Sequence, residues 1–136
     1  MGKGVLAMDT SRKRILCIDD HPDTCELLTY LLDAPGFEIV SVQNAADALK
    51  RIQGEQFDLC LLDNRLPDAS GVEVCRKLRA SAPQLPVIFI SAAAYEEDIR
   101  RGLAAGASAY VTKPFEPDEV KRVVEQALGT ATGPHT

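Results

Sequence analysis

Hydrophobic positions in this chain fall in five short runs separated by amphipathic stretches. Three of the runs, ILCI (15–18), LCLL (59–62) and VIFI (87–90), are apolar without interruption. A strand apolar on both faces has no wet side, which fits a parallel sheet held between two helix layers. Strands are predicted at 14–19, 37–42, 57–62, 86–91 and 109–112. Helices are predicted at about 22–34, 45–52, 71–79, 95–105 and 117–128. In the first helix Leu27, Leu28, Leu31 and Leu32 give an inner stripe, with Gly36 at the stop. Ala45, Ala48, Leu49 and Ile52 give the second stripe, and Val74, Cys75 and Leu78 the third. Glu96, Glu97 and Asp98 open the fourth helix, where acidic residues favour an N-terminus. In the fifth, Val120, Val123, Val124, Ala127 and Leu128 repeat at helical spacing. Strict strand–helix alternation with short connections gives a doubly wound α/β fold, with right-handed crossovers placing helices on both faces. The domain is expected to span 13–129, between a flexible N-terminal arm (1–12) and a C-terminal tail (130–136).

In such folds ligands bind beyond the carboxyl ends of the strands. The polar residues that end the apolar runs stand at those ends. The first strand closes on Asp19-Asp20, the third on Asp63, the fourth on Ser91, and Lys113-Pro114 follows the fifth. Taken singly, each has an ordinary explanation as a loop start or a helix cap. Three acids, a hydroxyl and a lysine on four strand ends are much harder to explain that way.

The chemistry of the set is specific. Three carboxylates in one place repel each other, and a divalent cation removes the conflict. An all-oxygen site with few protein ligands suits Mg²⁺. The same charge would screen an incoming phosphoryl group. Ser91 can hydrogen-bond one phosphoryl oxygen and Lys113 can place a charge on another. A carboxylate such as Asp63 can itself take a phosphoryl group as a nucleophile.

The segments ILCIDDHPD (15–23), LLDNRLPDASG (61–71), VIFISAAA (87–94) and AYVTKPF (109–115) resemble the receiver domains of bacterial two-component response regulators. The resemblance covers residues 14 to 128. It implies a flavodoxin-like sheet of five parallel strands in the order 2-1-3-4-5 with five helices. It implies that Asp63 is the phosphoacceptor. Mg²⁺ would be bound by Asp20, Asp63 and the backbone carbonyl of Arg65, with Asp19 acting through a water. Ser91 matches the hydroxyl position and Lys113 the lysine, with a cis bond to Pro114. Tyr110 matches an aromatic switch position, expected to rotate inward into the space left when Ser91 is drawn to a phosphoryl group. The surface expected to change is the fourth helix, fifth strand and fifth helix. Arg65 and Ala93 fall where the family tunes phosphoryl lifetime. The implied partners are a sensor histidine kinase or a histidine phosphotransfer protein, and a downstream output protein or an output domain outside this chain.

Composition narrows the alternatives. The 136 residues suit one domain, and 46% hydrophobic with 26% charged residues is ordinary for a globular chain. Net charge is −5, which argues against direct nucleic-acid binding by this chain. Cys17, Cys25, Cys60 and Cys75 include no CxxC pair and read as core residues, in keeping with a reducing cytoplasm. No apolar run is long enough to span a bilayer. A start of Met-Gly lacks the Ser or Thr of a myristoylation signal, because Leu6 stands there. His21 and His135 are not expected to be catalytic, His21 facing solvent at the rim. An aspartyl phosphatase of the haloacid-dehalogenase type would need a DxDx[TV] loop, and here the second acid is misplaced in Asp19-Asp20-His21. A phosphorylation-independent protein-binding module of the same fold is the other alternative, but such modules usually lack one member of the set. The chain therefore reads as a signalling domain and not as an enzyme.

Overall fold

The computed structural model describes residues 12–33 and 36–129. The expected tail, and the expected arm apart from Arg12, lie outside the described residues. Five strands, β1 (Lys13–Ile18), β2 (Phe37–Val42), β3 (Leu59–Leu62), β4 (Val87–Ser91) and β5 (Ala109–Thr112), alternate with five helices. The helices are α1 (Pro22–Leu31), α2 (Ala45–Gly54), α3 (Gly71–Ser81), α4 (Glu96–Ala104) and α5 (Pro117–Leu128). All strands are parallel, in the order β2-β1-β3-β4-β5. This is the predicted architecture.

The continuous apolar runs are buried on both faces, as their composition requires. Leu16, Ile18, Cys60, Leu62, Val87 and Phe89 face Ala48, Val74, Cys75 and Leu78 from α2 and α3. Their neighbours Ile15, Cys17, Leu59, Leu61, Ile88 and Ile90 face Leu28, Val120 and Val124 from α1 and α5. Alternate residues of one strand thus feed two separate cores.

Several boundaries moved for identifiable reasons. β3 begins at Leu59 because Asp58 turns its carboxylate to the Arg14 amide, Oδ2 accepting at 2.8 Å. β4 begins at Val87, after Pro86, which has no N–H to give to a ladder. α2 runs two residues past its predicted end, where Arg51 and Glu55 close an i, i+4 ion pair at 2.8 Å. α3 likewise runs two residues further, to Ser81. The stripe of α1 is corrected. Leu27 is 46% exposed, and Cys25, Leu28 and Leu32 are the buried positions. The first helix ends at Leu31, short of the predicted stop. α5 ends on Gly129, whose φ of 69° is the left-handed conformation that glycine adopts without a Cβ clash.

The loop after β3 is tied down at both ends. Ser70 caps α3 by accepting the Glu73 amide at 3.2 Å, and Glu73 accepts the Ser70 amide in return. Asp68 accepts the Ala45 and Ala46 amides at 2.8 and 2.9 Å, so it caps α2 from another loop. Those amides hold the Asp68 carboxyl below its usual range. The cap is therefore at full strength above the ordinary carboxyl pKa and fades as pH falls through the lowered value. Among the described residues, no helix is long and apolar enough to cross a membrane.

Candidate functional site

The parallel ladder carries the strand ends to one edge. Backbone amides one residue past the strands still pair: Asp63 donates to the Ile18 carbonyl at 2.9 Å, and Lys113 to the Ser91 carbonyl at 2.9 Å. That alignment places Asp19, Asp20, Asp63, Ser91 and Lys113 at neighbouring positions of the same sheet edge. Asp19 is 2% exposed, Asp63 5% and Ser91 1%. Buried acids of this kind need compensation.

Lys113 provides part of it. Its Nζ lies 2.9 Å from Asp19 Oδ2 and 3.7 Å from Asp63 Oδ2. Thr24 Oγ1 stands 3.5 Å from the same nitrogen. The Lys113–Pro114 peptide is cis, as the resemblance implies. The other oxygen of Asp63 accepts the Arg65 amide at 3.3 Å. Ser91 Oγ accepts the Ala93 amide at 3.1 Å, which uses a lone pair of the hydroxyl and not its proton.

One acid keeps an uncompensated atom. Asp20 Oδ1 is buried and accepts no hydrogen bond, although His21 Nδ1 is 3.0 Å away. The ring nitrogen bonds instead to Asp19 Oδ1, at 3.2 Å. Ligand atoms from Asp19, Asp20, His21 and Asp63 all lie within 4.8 Å of one another. The carboxylate oxygens and the orphaned Asp20 atom fit a hard divalent cation.

Sequence reasoning missed three contributors. His21 is 68% exposed, as a rim residue should be, but its Nδ1 turns back onto the acids. Its place directly before Pro22, at the N-cap of α1, was the available signal. Thr24 faces Lys113 from the first turn of α1. Asn64 follows Asp63 directly and is buried, and its Nδ2 donates to Tyr110 Oη at 3.2 Å. Nothing in its residue type announces that bond across 46 positions.

Tyr110, expected to turn inward only as Ser91 moves, is already held inward. Its ring stacks on Phe89 with centroids 5.1 Å apart, and its hydroxyl donates to the Ala93 carbonyl. Gly102 on α4 makes the room: a Cβ there would stand 2.9 Å from Tyr110 Cδ2 and 3.1 Å from Phe89 Cε1. Gly102→Ala is expected to push the Tyr110 ring outward and break its bond to Asn64. The overpacking cost of about 1–2 kcal/mol is partly offset by the better helix propensity of alanine. The Asn64 side-chain amide resonances report the change, and an unaltered Asn64 signal would show that the ring has other room.

Residues 15–125 match the family described as the response regulator receiver domain. The DNA-binding response regulator MtrA of Mycolicibacterium smegmatis is 41% identical over 121 residues, covering 89% of this chain and 53% of that protein. The alkaline phosphatase synthesis transcriptional regulatory protein PhoP of Bacillus subtilis is 38% identical, covering 85% of this chain and 48% of that protein. A CheY-like receiver domain protein from Methanospirillum hungatei superposes with a TM-score of 0.83 at 32% identity, covering 88% of this chain and 95% of that one. The chain belongs to the receiver domain family of two-component response regulators. It functions as a receiver in two-component signal transduction, and the phosphorylation-independent alternative is not favoured. The chain spans about half the length of the curated relatives it matches.

These relatives correct one expectation. The net charge of −5 was read as excluding nucleic acid as a partner. The relatives are a DNA-binding regulator and a transcriptional regulator, so that exclusion does not stand. A net charge summed over a whole span does not show where on its surface a local basic patch lies.

Proposed function

We propose that Asp63 accepts a phosphoryl group from a phosphohistidine of a partner, a sensor kinase or a histidine phosphotransfer protein, and that Mg²⁺ is required. The supporting observation is Lys113 Nζ set between two buried acids, Asp19 and Asp63, that cluster with Asp20, one of whose oxygens is orphaned. In the transfer, an Asp63 oxygen bonds to phosphorus as the phosphorus–nitrogen bond breaks, and the departing imidazole keeps the electron pair. Little covalent help is needed beyond alignment and charge. Asp20, Asp63 and the Arg65 carbonyl would hold Mg²⁺, with Asp19 reaching it through a water, and the ion would neutralise charge on the phosphoryl oxygens. Lys113 approaches from the Oδ2 side of Asp63 and serves another phosphoryl oxygen. Ser91 has its proton to give to a third.

The output is conformational. Ser91 drawn to the phosphoryl group shifts the segment that carries the Ala93 carbonyl, which is the acceptor for Tyr110. Asn64, the residue next to Asp63, bonds the same tyrosine. A local charge event thereby biases the packing of α4, β5 and α5. Hydrolysis of the acyl phosphate resets the state, at a rate that Arg65 and Ala93 help to set. The reading implies a cytoplasmic chain.

Incubation with acetyl phosphate and Mg²⁺ should add the mass of one phosphoryl group to the intact chain. Asp63→Asn should abolish the adduct, and a chelator should suppress it. An adduct of equal yield on Asp63→Asn sinks the assignment.

A further inference from the structure

All four cysteines are free and buried, but they are not equivalent. Cys60 lies wholly inside the core under α2 and α3, and burial pushes its thiol up to about 12. Cys17 on β1 and Cys25 on α1 lie in the other core, with their sulfurs 3.3 Å apart. A disulfide needs about 2.05 Å, so closing the pair asks for a shift of little more than about 1 Å.

One member of the pair, Cys25, borders a surface cavity. A surface cavity of about 300 Å³ lies between α1 and the end of β2, and Cys25 lines it with Pro22, Glu26, Thr29, Ser41 and Gln43. Ser41 is the register partner of Cys17 across the β1–β2 ladder. Cys25 is thus the member of the pair that borders the cavity, with Cys17 buried behind it. The cavity brings solvent to the edge of Cys25, which is 4% exposed, so a small oxidant needs only a local opening of α1 to meet its sulfur.

The segment between the two cysteines contains Asp19, Asp20 and His21. Cys25 Sγ also contacts the Asp19 carbonyl, at 3.9 Å. A bond between the sulfurs would close a loop around the acidic end of β1.

We propose that Cys17 and Cys25 are a peroxide-sensitive thiol pair whose disulfide ties β1 to α1 and slows phosphoryl uptake at Asp63. The coupling to uptake rests on the phosphoacceptor reading above; the thiol chemistry does not. Cys25 sulfur attacks one oxygen of hydrogen peroxide, the oxygen–oxygen bond breaks, and water leaves to give the sulfenic acid. Cys17 sulfur then attacks the Cys25 sulfur, and a second water leaves as the disulfide forms. Two thiols lose two electrons, and the peroxide is reduced to two waters. A small thiol reverses the bond by exchange.

The test is thiol counting on the full chain. After graded hydrogen peroxide, the protein is denatured, alkylated and weighed intact, then digested and mapped. The expected result is loss of two alkylatable thiols of the four, with a Cys17–Cys25 cross-linked peptide that dithiothreitol removes. Cys17→Ala should give no cross-link and a Cys25 sulfenic acid that dimedone traps. Four thiols alkylated at peroxide levels that oxidise free cysteine would overturn the pair, as would a cross-link to Cys60 or Cys75 in its place. Acetyl phosphate uptake is then compared between reduced and bridged protein. A several-fold slowing on bridging supports the coupling, and equal uptake overturns it. If the reduced protein takes no phosphate, the phosphoacceptor reading fails while the thiol count still decides the pair.

Discussion

Gly71→Ala is expected to cost about 2–3 kcal/mol of stability, the upper range for an overpacked site, and so to lower the melting temperature by about 10 °C. Gly71 is the first residue of α3. A Cβ there would stand 2.5 Å from the Asp63 carbonyl oxygen, 2.7 Å from Asn64 Cα and 2.9 Å from Phe89 Cε2. Two of those atoms are backbone and cannot rotate away. The Gly71 amide also donates to the Asn64 carbonyl at 2.7 Å, so the helix start is pulled onto the strand end it would have to leave. Relief requires opening the loop, and the atoms displaced belong to Asp63 and Asn64. Thermal unfolding and acetyl phosphate uptake should therefore fall together. Gly54→Ala is the control, because nothing lies within 4 Å of its added Cβ and the site is helical. It should leave stability level or raise it by up to about 1 kcal/mol. Equal melting temperatures for the two variants would show that the loop after β3 yields freely.

That loop also shows how far the sequence could be read. Strand ends were legible because buried parallel strands are apolar on both faces, so Asp19, Asp63 and Ser91 stand out as the first polar residues after each run. Their convergence followed from the topology. Element ends were less legible, because single side chains set them: Asp58 bonding the Arg14 amide shortened β3, and the Arg51–Glu55 pair accompanies the longer α2. Leu27 looked like a core residue because periodicity in α1 is shared between two adjacent leucines, and the chain's crossing over β1 chose Leu28 and Cys25. Asn64 and Tyr110 meet only through tertiary packing, with Gly102 as the silent condition. His21 was judged by its exposure, which was right for the ring and wrong for Nδ1. Exclusion of nucleic acid failed for a different reason, since net charge does not show where a local basic patch lies.

Lys113→Met should produce a change of similar size, and one that Mg²⁺ reverses in part. Methionine keeps the apolar stem and removes the charge that lies 2.9 Å from Asp19 and 3.7 Å from Asp63. Two buried carboxylates then face each other without a cation. Removing one partner of such a buried set costs about 3 kcal/mol, so the divalent-free variant should melt roughly 10 °C below the parent. A cation bound only by the folded state adds stability as its concentration rises, about 2.7 kcal/mol at a hundredfold excess over the dissociation constant. In the parent, Lys113 already neutralises part of the site, so the ion has less repulsion to relieve. The expected result is a larger Mg²⁺-induced rise in melting temperature for Lys113→Met than for the parent. Phosphate uptake from acetyl phosphate should nevertheless stay low, because the ion cannot also supply the donor on the Oδ2 side of Asp63. Titrating MgCl₂ while following thermal unfolding separates the two roles. Equal shifts in both proteins would mean that Lys113 and the cation do not share the charge of these acids, and the lysine would then serve the phosphoryl group alone.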